Sequence, residues 1–420
     1  MTSAKPFEIS KRLIWEAYQR VKANRGAAGV DGQSIADFDR DLGRNLYLIW
    51  NRMSSGSYFP PAVKAVPIPK KSGGERILGV PTVSDRIAQT VVTLTLEPIL
   101  EPVFHKDSYG YRPGKSAHDA IAVTRKRCWQ RDWVLEYDIR GLFDHIDHTL
   151  LLKALRHHCR NRWVWLYVER WLTAPLRDRG GKGEPRTVGT PQGGPLSPIL
   201  ANLFLHYALD RWLTANHPDI PFCRYADDGI LHCRSEAEAV YLCDRLATRL
   251  RECGLEMHPT KTRVVYCKDS RRTGSHEHIQ FDFLGYTFRP RRIVNRNGKA
   301  SLGFTPAVSR QSMVAMRQTI RRWHFVLQSE LSLDQLAQVI APRVRGWMNY
   351  YCRFRGSEFQ PVAVHLDRAL IRWAMRKFKR LRGHKMRAIS WFARIKQKRP
   401  NLFVHWSGRG AFSVGAMGAR

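Results

Sequence analysis

The sequence predicts an α+β core followed by an all-helical appendage. Three observations carry that expectation. Strand-like and helix-like stretches interleave up to about residue 305, and the pattern is helical from about 306 to near 400. Charge divides at the same place, because residues 310–420 hold 23 Lys+Arg against 4 Asp+Glu. At 420 residues the chain exceeds the usual size of one core, so two or three subdomains are expected.

The elements follow in order. Residues 7–25 place Leu13, Ala17 and Val21 at helical spacing and end in the loop "NRGAAGVDG"; a second helical stretch covers 33–55. "AVKAVPIPKKSGGERILGVPTV" alternates around a Ser-Gly-Gly turn and reads as a β-hairpin. Helical pattern resumes at 84–100 and 116–130, and "WVLEYDIRGLF" is a buried strand entering a turn, with helix to about 172. "SPILANLFLHYALDRWL" is a helix with Ser197 as its cap and Pro198 at the first position. "FCRYADDGIL" and "FDFLGYTF" complete the strands.

A net charge of +34, with 43% hydrophobic residues and 13 Trp, excludes a disordered polycation and points to a polyanionic partner, nucleic acid. The stretch 372–399 has 12 basic residues and no acid, and Trp373, Phe378, Trp391 and Phe392 recur through it. That favours a nucleic-acid surface over a merely solvated face. No apolar run approaches the ~20 residues of a membrane span. The N-terminus lacks a signal-peptide core, so a cytoplasmic protein without a membrane partner is expected. The eight cysteines form no CxxC pair, so neither a zinc ribbon nor a disulfide framework is suggested. His157-His158 and His276/His278 lack Cys or acidic partners and read as structural or surface residues.

Adjacent carboxylates resist burial, yet Asp227 and Asp228 stand between two buried-strand patterns in a chain with few acids. Asp138 ends a third such strand. Three carboxylates at strand ends suit a two-metal phosphoryl-transfer site, in which one Mg²⁺ activates a 3′-hydroxyl and another steadies the leaving pyrophosphate. A solvated Asp-Asp turn is the other reading, and the doublet alone leaves the two even.

Eight stretches in order settle that balance: "IPKKSGGERILGVPTVSDRIAQ", "SYGYRPGKSAHDA", "YDIRGLFDHIDH", "GTPQGGPLSPILANLFL", "RYADDGI", "GLEMHPTKTRVV", "FDFLGYTF" and "RVRGWMNYYCRF". Together they resemble the reverse transcriptase/maturases encoded by bacterial group II introns, over most of residues 10–385. The resemblance implies a right-hand polymerase: fingers and palm with an N-terminal extension over 1–305, a helical thumb with maturase function over 306–385, and a basic DNA-binding-like tail over 386–420. It implies Asp138, Asp227, Asp228 and the carbonyl of Ile139 as ligands of two Mg²⁺ ions. Asp138 and Asp227 would be the main ligands and Asp228 the indirect one, since neighbours in an extended strand point apart.

The resemblance also makes Lys261 a general acid for pyrophosphate and Phe143 a steric gate against ribose, with Leu142 where relatives often carry a second Phe. Lys70 and Arg76 would reach the triphosphate, Gln192 and Gly193 would lie under the incoming dNTP, Arg112 would touch the template, and "FDFLGYTF" would grip the primer. The implied partners are group II intron RNA, an RNA template/DNA primer duplex, target DNA and dNTPs. Homodimerisation stays open, and the cytoplasmic protein would be nucleoid-associated. No His-Asn-His pattern or paired cysteines follow residue 385, so the endonuclease domain of longer relatives is expected to be missing. A domesticated reverse transcriptase in DNA repair or phage defence, and a splicing-only RNA-binding protein, are the competing expectations.

Overall fold

The computed structural model describes residues 5–69, 74–177, 183, 185–294, 298 and 300–407. The chain packs as two units, Met1–Ala120 with Trp133–Val264, and Ile121–Asp132 with Val265–Arg420. The division falls at 264/265, well before the expected end of the palm at about 305.

In the first unit, helix Lys11–Ala23 is capped by Ser10, whose hydroxyl accepts from Leu13 N, and it buries Ile14, Ala17, Tyr18 and Val21. Ala17 and Val21 are buried as their spacing predicts, and Ile14 rather than Leu13 begins the stripe. Helices Ile35–Asp39 and Leu42–Ser55 follow. The expected hairpin forms between β1 (Val63–Pro69) and β2 (Glu75–Val80), antiparallel, with Ile68 opposite Arg76. Helix Val83–Leu100 is capped by Thr82 and nearly all of its first half is buried.

β3 (Trp133–Asp138) is buried except at Glu136, which is half-buried. A two-residue β4 (Leu176–Arg177) lies parallel to β1. β5 (Phe222–Tyr225) and β6 (Asp228–Cys233) form a hairpin, and β7 (Arg263–Tyr266) gives a sheet of order β5-β6-β3-β7; the unit boundary falls inside β7. β3 and β6 pair antiparallel with Asp138 directly opposite Asp228.

Ser197 is not the cap that its sequence position suggests. It is the first helical residue of Ser197–Leu205, with Leu196 at the cap position. Its hydroxyl donates to Pro191 O at 2.8 Å and lies 2.9 Å from Thr190 Oγ1, which fixes the loop before the helix. The helix also does not run straight on: residues His206–Asp210 form a π turn before helix Arg211–Asn216.

In the second unit, β8 (Phe281–Phe283), β9 (Tyr286–Val294) and β10 (Ala300–Val308) form an antiparallel sheet of order β10-β9-β8. The β9–β10 hairpin takes up a stretch whose end was expected to be helical, and the first thumb-like helix starts at Arg310 (Arg310–Arg322). Helices Leu333–Arg355, Gln360–Lys377 and Lys385–Lys398 complete this unit. One core joins Met316, Ile320, Leu336, Ile340, Leu366 and Trp373 to Phe392, Phe403 and Trp406, so burial does not stop at residue 385.

Candidate active site

The strand ends place the carboxylates. Tyr225 ends β5, Ala226 and Asp227 make the turn, and Asp228 opens β6. Ala226 has φ 57°, a left-handed conformation rare for a non-glycine residue. Gly229 faces Tyr137 across the ladder, where a Cβ would sit 2.1 Å from the ring, so only glycine fits behind the doublet.

Like charges opposite each other in a ladder repel. Burial, then the charges of Asp227 and Asp138, push the Asp228 carboxyl up to about 7; it shares a hydrogen bond with Asp138. Asp227 is raised as well, by burial first and by Asp138. Because Asp227 lies in a turn and Asp228 pairs with Asp138, the extended-strand argument that set Asp228 aside does not apply here.

A lysine reaches the group. Lys261 Nζ donates to Asp138 Oδ2 at 2.5 Å, from a side chain 55% exposed. Burial would lower its ammonium pKa, but the hydrogen bond to Asp138 and the charges of Asp138, Asp228 and Asp227 raise it. Its loop is held to the sheet end by His258 N, which donates to Asp138 O, and by Arg140 N, which donates to Glu256 O. Ile139 is buried and bridges Met257, so only its main chain could serve a ligand.

Among the described residues, no group of three or more His, Cys, Asp or Glu stands ready to hold a metal ion, and Lys261 engages Asp138. The chemistry of the donors nonetheless fits a hard cation. They are all oxygen, crowded and partly desolvated, with two carboxyls raised by burial first and then by their acidic neighbours.

Two of the residues expected to serve the nucleotide share a cavity. Phe143 and Gln192 line one cavity of about 230 Å³ with Ile77, Gly79, Arg186 and Thr190. Gly79 N donates to Gln192 O at 2.7 Å, and Thr190 N to Phe143 O at 2.7 Å. Gly193 has φ 116°, and a Cβ there would meet Gly79 O at 2.6 Å, so the hairpin and this loop can touch only through glycine. Arg76 is close enough to Tyr111 to lower the raised phenol pKa, which burial and Asp227 push up. Lys70 lies outside the described residues.

Arg112 is a correction. Its side chain is 5% exposed, and it grips Glu101 with Nε at 3.0 Å and Nη2 at 2.6 Å from Oε1. Nη1 donates to His105 O and Ser108 O. With its fork engaged inside the protein, it braces the loop and does not reach out to a template.

Sequence reasoning missed Tyr111 and Gly110. Tyr111 is 56% exposed in a left-handed conformation (φ 56°) near Asp227. A Cβ at Gly110 would lie 2.5 Å from Ala226 N. The repeated Gly and Pro of "YGYRPG" were the available signal.

The "FDFLGYTF" strands belong to the second unit. There Tyr286 OH donates to Tyr350 O, and Tyr350 OH to Leu284 O at 2.8 Å. Their turn is thus tied to the helix that carries "RGWMNYY".

The family model "Reverse transcriptase (RNA-dependent DNA polymerase)" matches residues 68–288, and "Group II intron, maturase-specific domain" matches 313–391. Protein YkfC of Escherichia coli K12 is 28% identical over 357 residues, covering 76% of this chain and 90% of that protein. The group II intron-encoded protein LtrA of Lactococcus lactis is 33% identical over 48% of this chain, which spans 33% of LtrA. A 91 kDa protein in the cob intron of Schizosaccharomyces pombe is 32% identical over 50% of this chain, which spans 26% of its length. A telomerase structure from Candida albicans covers 89% of this chain and 68% of that one at TM-score 0.46 and 13% identity, too distant a likeness to argue from.

Proposed function

Because the chain belongs to the reverse transcriptase (RNA-dependent DNA polymerase) family and carries a group II intron maturase-specific domain, we propose that it binds a group II intron RNA, assists its splicing and copies it into DNA during retrohoming. The observation that carries this reading is the convergence of Asp138, Asp227 and Asp228 at two strand ends, with Lys261 against them.

In this reading Asp138, Asp227, Asp228 and the Ile139 carbonyl hold two Mg²⁺ ions. When bound, the ions supply Lewis-acid activation of the primer 3′-hydroxyl and neutralise the departing pyrophosphate. Lys261, kept protonated by its acidic neighbours, supplies a proton to the pyrophosphate. Arg76, with Lys70, faces the triphosphate of the dNTP. Gln192 and Gly193 support the base and sugar, and the Phe143 ring excludes a ribose 2′-hydroxyl. The N-terminal extension and the helices Arg310–Arg322, Leu333–Arg355 and Gln360–Lys377 grip intron RNA, and the basic helix Lys385–Lys398 faces target DNA. The RNA template and DNA primer would pass over the carboxylates, with "FDFLGYTF" as the primer grip. Among the described residues, no helix is long and apolar enough to cross a membrane.

The test is primer extension on poly(rA)/oligo(dT) with Mg²⁺ and dTTP. Asp227→Ala is expected to lose activity by about a thousand-fold or more, with nucleic-acid binding retained. Binding without extension by the unaltered protein would sink the polymerase reading and leave a splicing-only RNA binder. In the same assay Phe143→Ala is expected to raise UTP use relative to dTTP by about ten- to a hundred-fold. Unchanged discrimination would return Phe143 to the core.

A further inference from the structure

The aspartate doublet rests on a buried ion pair. Arg224, three residues before Asp227, is 0% exposed, as is Asp210. Its Nε donates to Asp210 Oδ1 at 2.7 Å and its Nη2 to Oδ2 at 2.6 Å, a two-pronged grip. The remaining arm, Nη1, donates to Asn202 Oδ1 at 3.1 Å and to the carbonyl of Ala226 at 3.2 Å. That carbonyl belongs to the peptide leading into Asp227, and Ala226 is the residue held left-handed.

The other side of the turn is tied to the same group. Asn202 Nδ2 donates to Gly110 O at 2.8 Å. Arg224 N donates to Asp107 O at 3.0 Å, and its carbonyl accepts from Tyr109 N at 2.8 Å. Asp210 closes the π turn, and Arg249 engages two carbonyls of that turn: Nε donates to Ala208 O at 3.0 Å and Nη2 to Tyr207 O at 3.2 Å.

A buried ion pair is a poor way to gain stability, since well-packed apolar residues of similar volume serve as well or better. What an apolar pair cannot do is hold a carbonyl at a fixed angle. We propose that Arg224, Asp210 and Asn202 are positioning residues that fix the Ala226–Asp227 turn, and with it the direction in which Asp227 and Asp228 face their ligands. The inference rests on the reading of those two carboxylates as the polymerase metal ligands. Ala226 keeps its rare conformation because the guanidinium holds its carbonyl from below.

The experiment measures kcat, KM for dTTP, the Mg²⁺ concentration at half-maximal rate and the melting temperature for Arg224→Lys and Asn202→Ala, with Asp227→Ala alongside. A lysine can neutralise Asp210 but cannot also reach Ala226 O. Arg224→Lys is expected to lower kcat by about ten- to a hundred-fold and raise the Mg²⁺ requirement, with KM for dTTP within about twofold. Asn202→Ala, which unpairs no charge, is expected to move the same two readouts less and to decide the matter if Arg224→Lys does not fold. Wild-type kcat and Mg²⁺ dependence in folded variants would overturn the inference, even if melting temperature falls. If Asp227→Ala itself remains active, the reading of the carboxylates fails first.

Discussion

Removing the Arg112 guanidinium would leave Glu101 and the carbonyls of His105 and Ser108 without their shared donor. Arg112→Ala is therefore expected to destabilise the first unit by about 3 kcal/mol, since one partner of a largely buried pair is left behind, while template affinity stays within about twofold. A large loss of template affinity at unchanged melting temperature would restore the sequence-based role. The contrast with the carboxylates shows what single residues disclose. The places of Asp138, Asp227 and Asp228 at strand ends were legible because apolar runs flank each of these scarce acids, and the ladder sets Asp138 opposite Asp228. Arg112 was not, because "GYRPG" places it in a turn without saying that Glu101, eleven residues earlier, is its partner.

Among elements, the π turn His206–Asp210 was invisible in a stretch whose apolar pattern reads as one continuous helix. It has a titration consequence. His206 is 8% exposed, its Nδ1 has no partner, and burial pushes its pKa down to about 4. The unfolded chain binds a proton near the ordinary value of about 6.5, so His206 contributes stability that is present above that pH and lost as pH falls toward 4. Between pH 7.5 and 5.5 the loss is about 1 kcal/mol. His206→Gln is expected to flatten that part of the pH–stability curve, measured by urea unfolding; an unaltered slope would mean the ring titrates in the fold as it does in the unfolded chain. The β9–β10 hairpin was missed for a different reason. Its Asn297-Gly298 dipeptide is a hairpin signal, but flanking arginines mask the alternation of "RRIV" and "ASLGF". The β1–β2 hairpin has cleaner alternation and a glycine turn and was read directly, while β5 and β6 were read as apolar strands on either side of the Asp-Asp turn.

Over the whole molecule, the α+β-then-helical order was legible from periodicity, whereas the unit boundaries were not, because burial by distant residues leaves no local mark. Residues after 385 illustrate this. Asp367, 1% exposed, accepts from His405 Nε2 at 2.7 Å and Trp406 Nε1 at 2.9 Å, and Phe403 and Trp406 enter the helical core. A run rich in Lys and Arg reads as a basic tail, yet its sparse aromatics decide its place. Trp406→Ala is expected to destabilise the second unit by about 3–5 kcal/mol, read as an earlier melting transition. An unchanged profile would mean that 400–407 is only appended.

Gly110 gives the carboxylate turn a signature that needs no chemistry to detect. Any side chain at that position would enter the space of Ala226 N. In a library of every single substitution, sorted only for growth or copying, position 110 would tolerate one residue out of twenty. It would stand beside Asp227 on the tolerance map although it offers neither charge nor side chain. Intolerance at a silent glycine would then report the shape of the site, while intolerance at the aspartates reports its reactivity, and the two could be told apart by whether conservative replacements rescue.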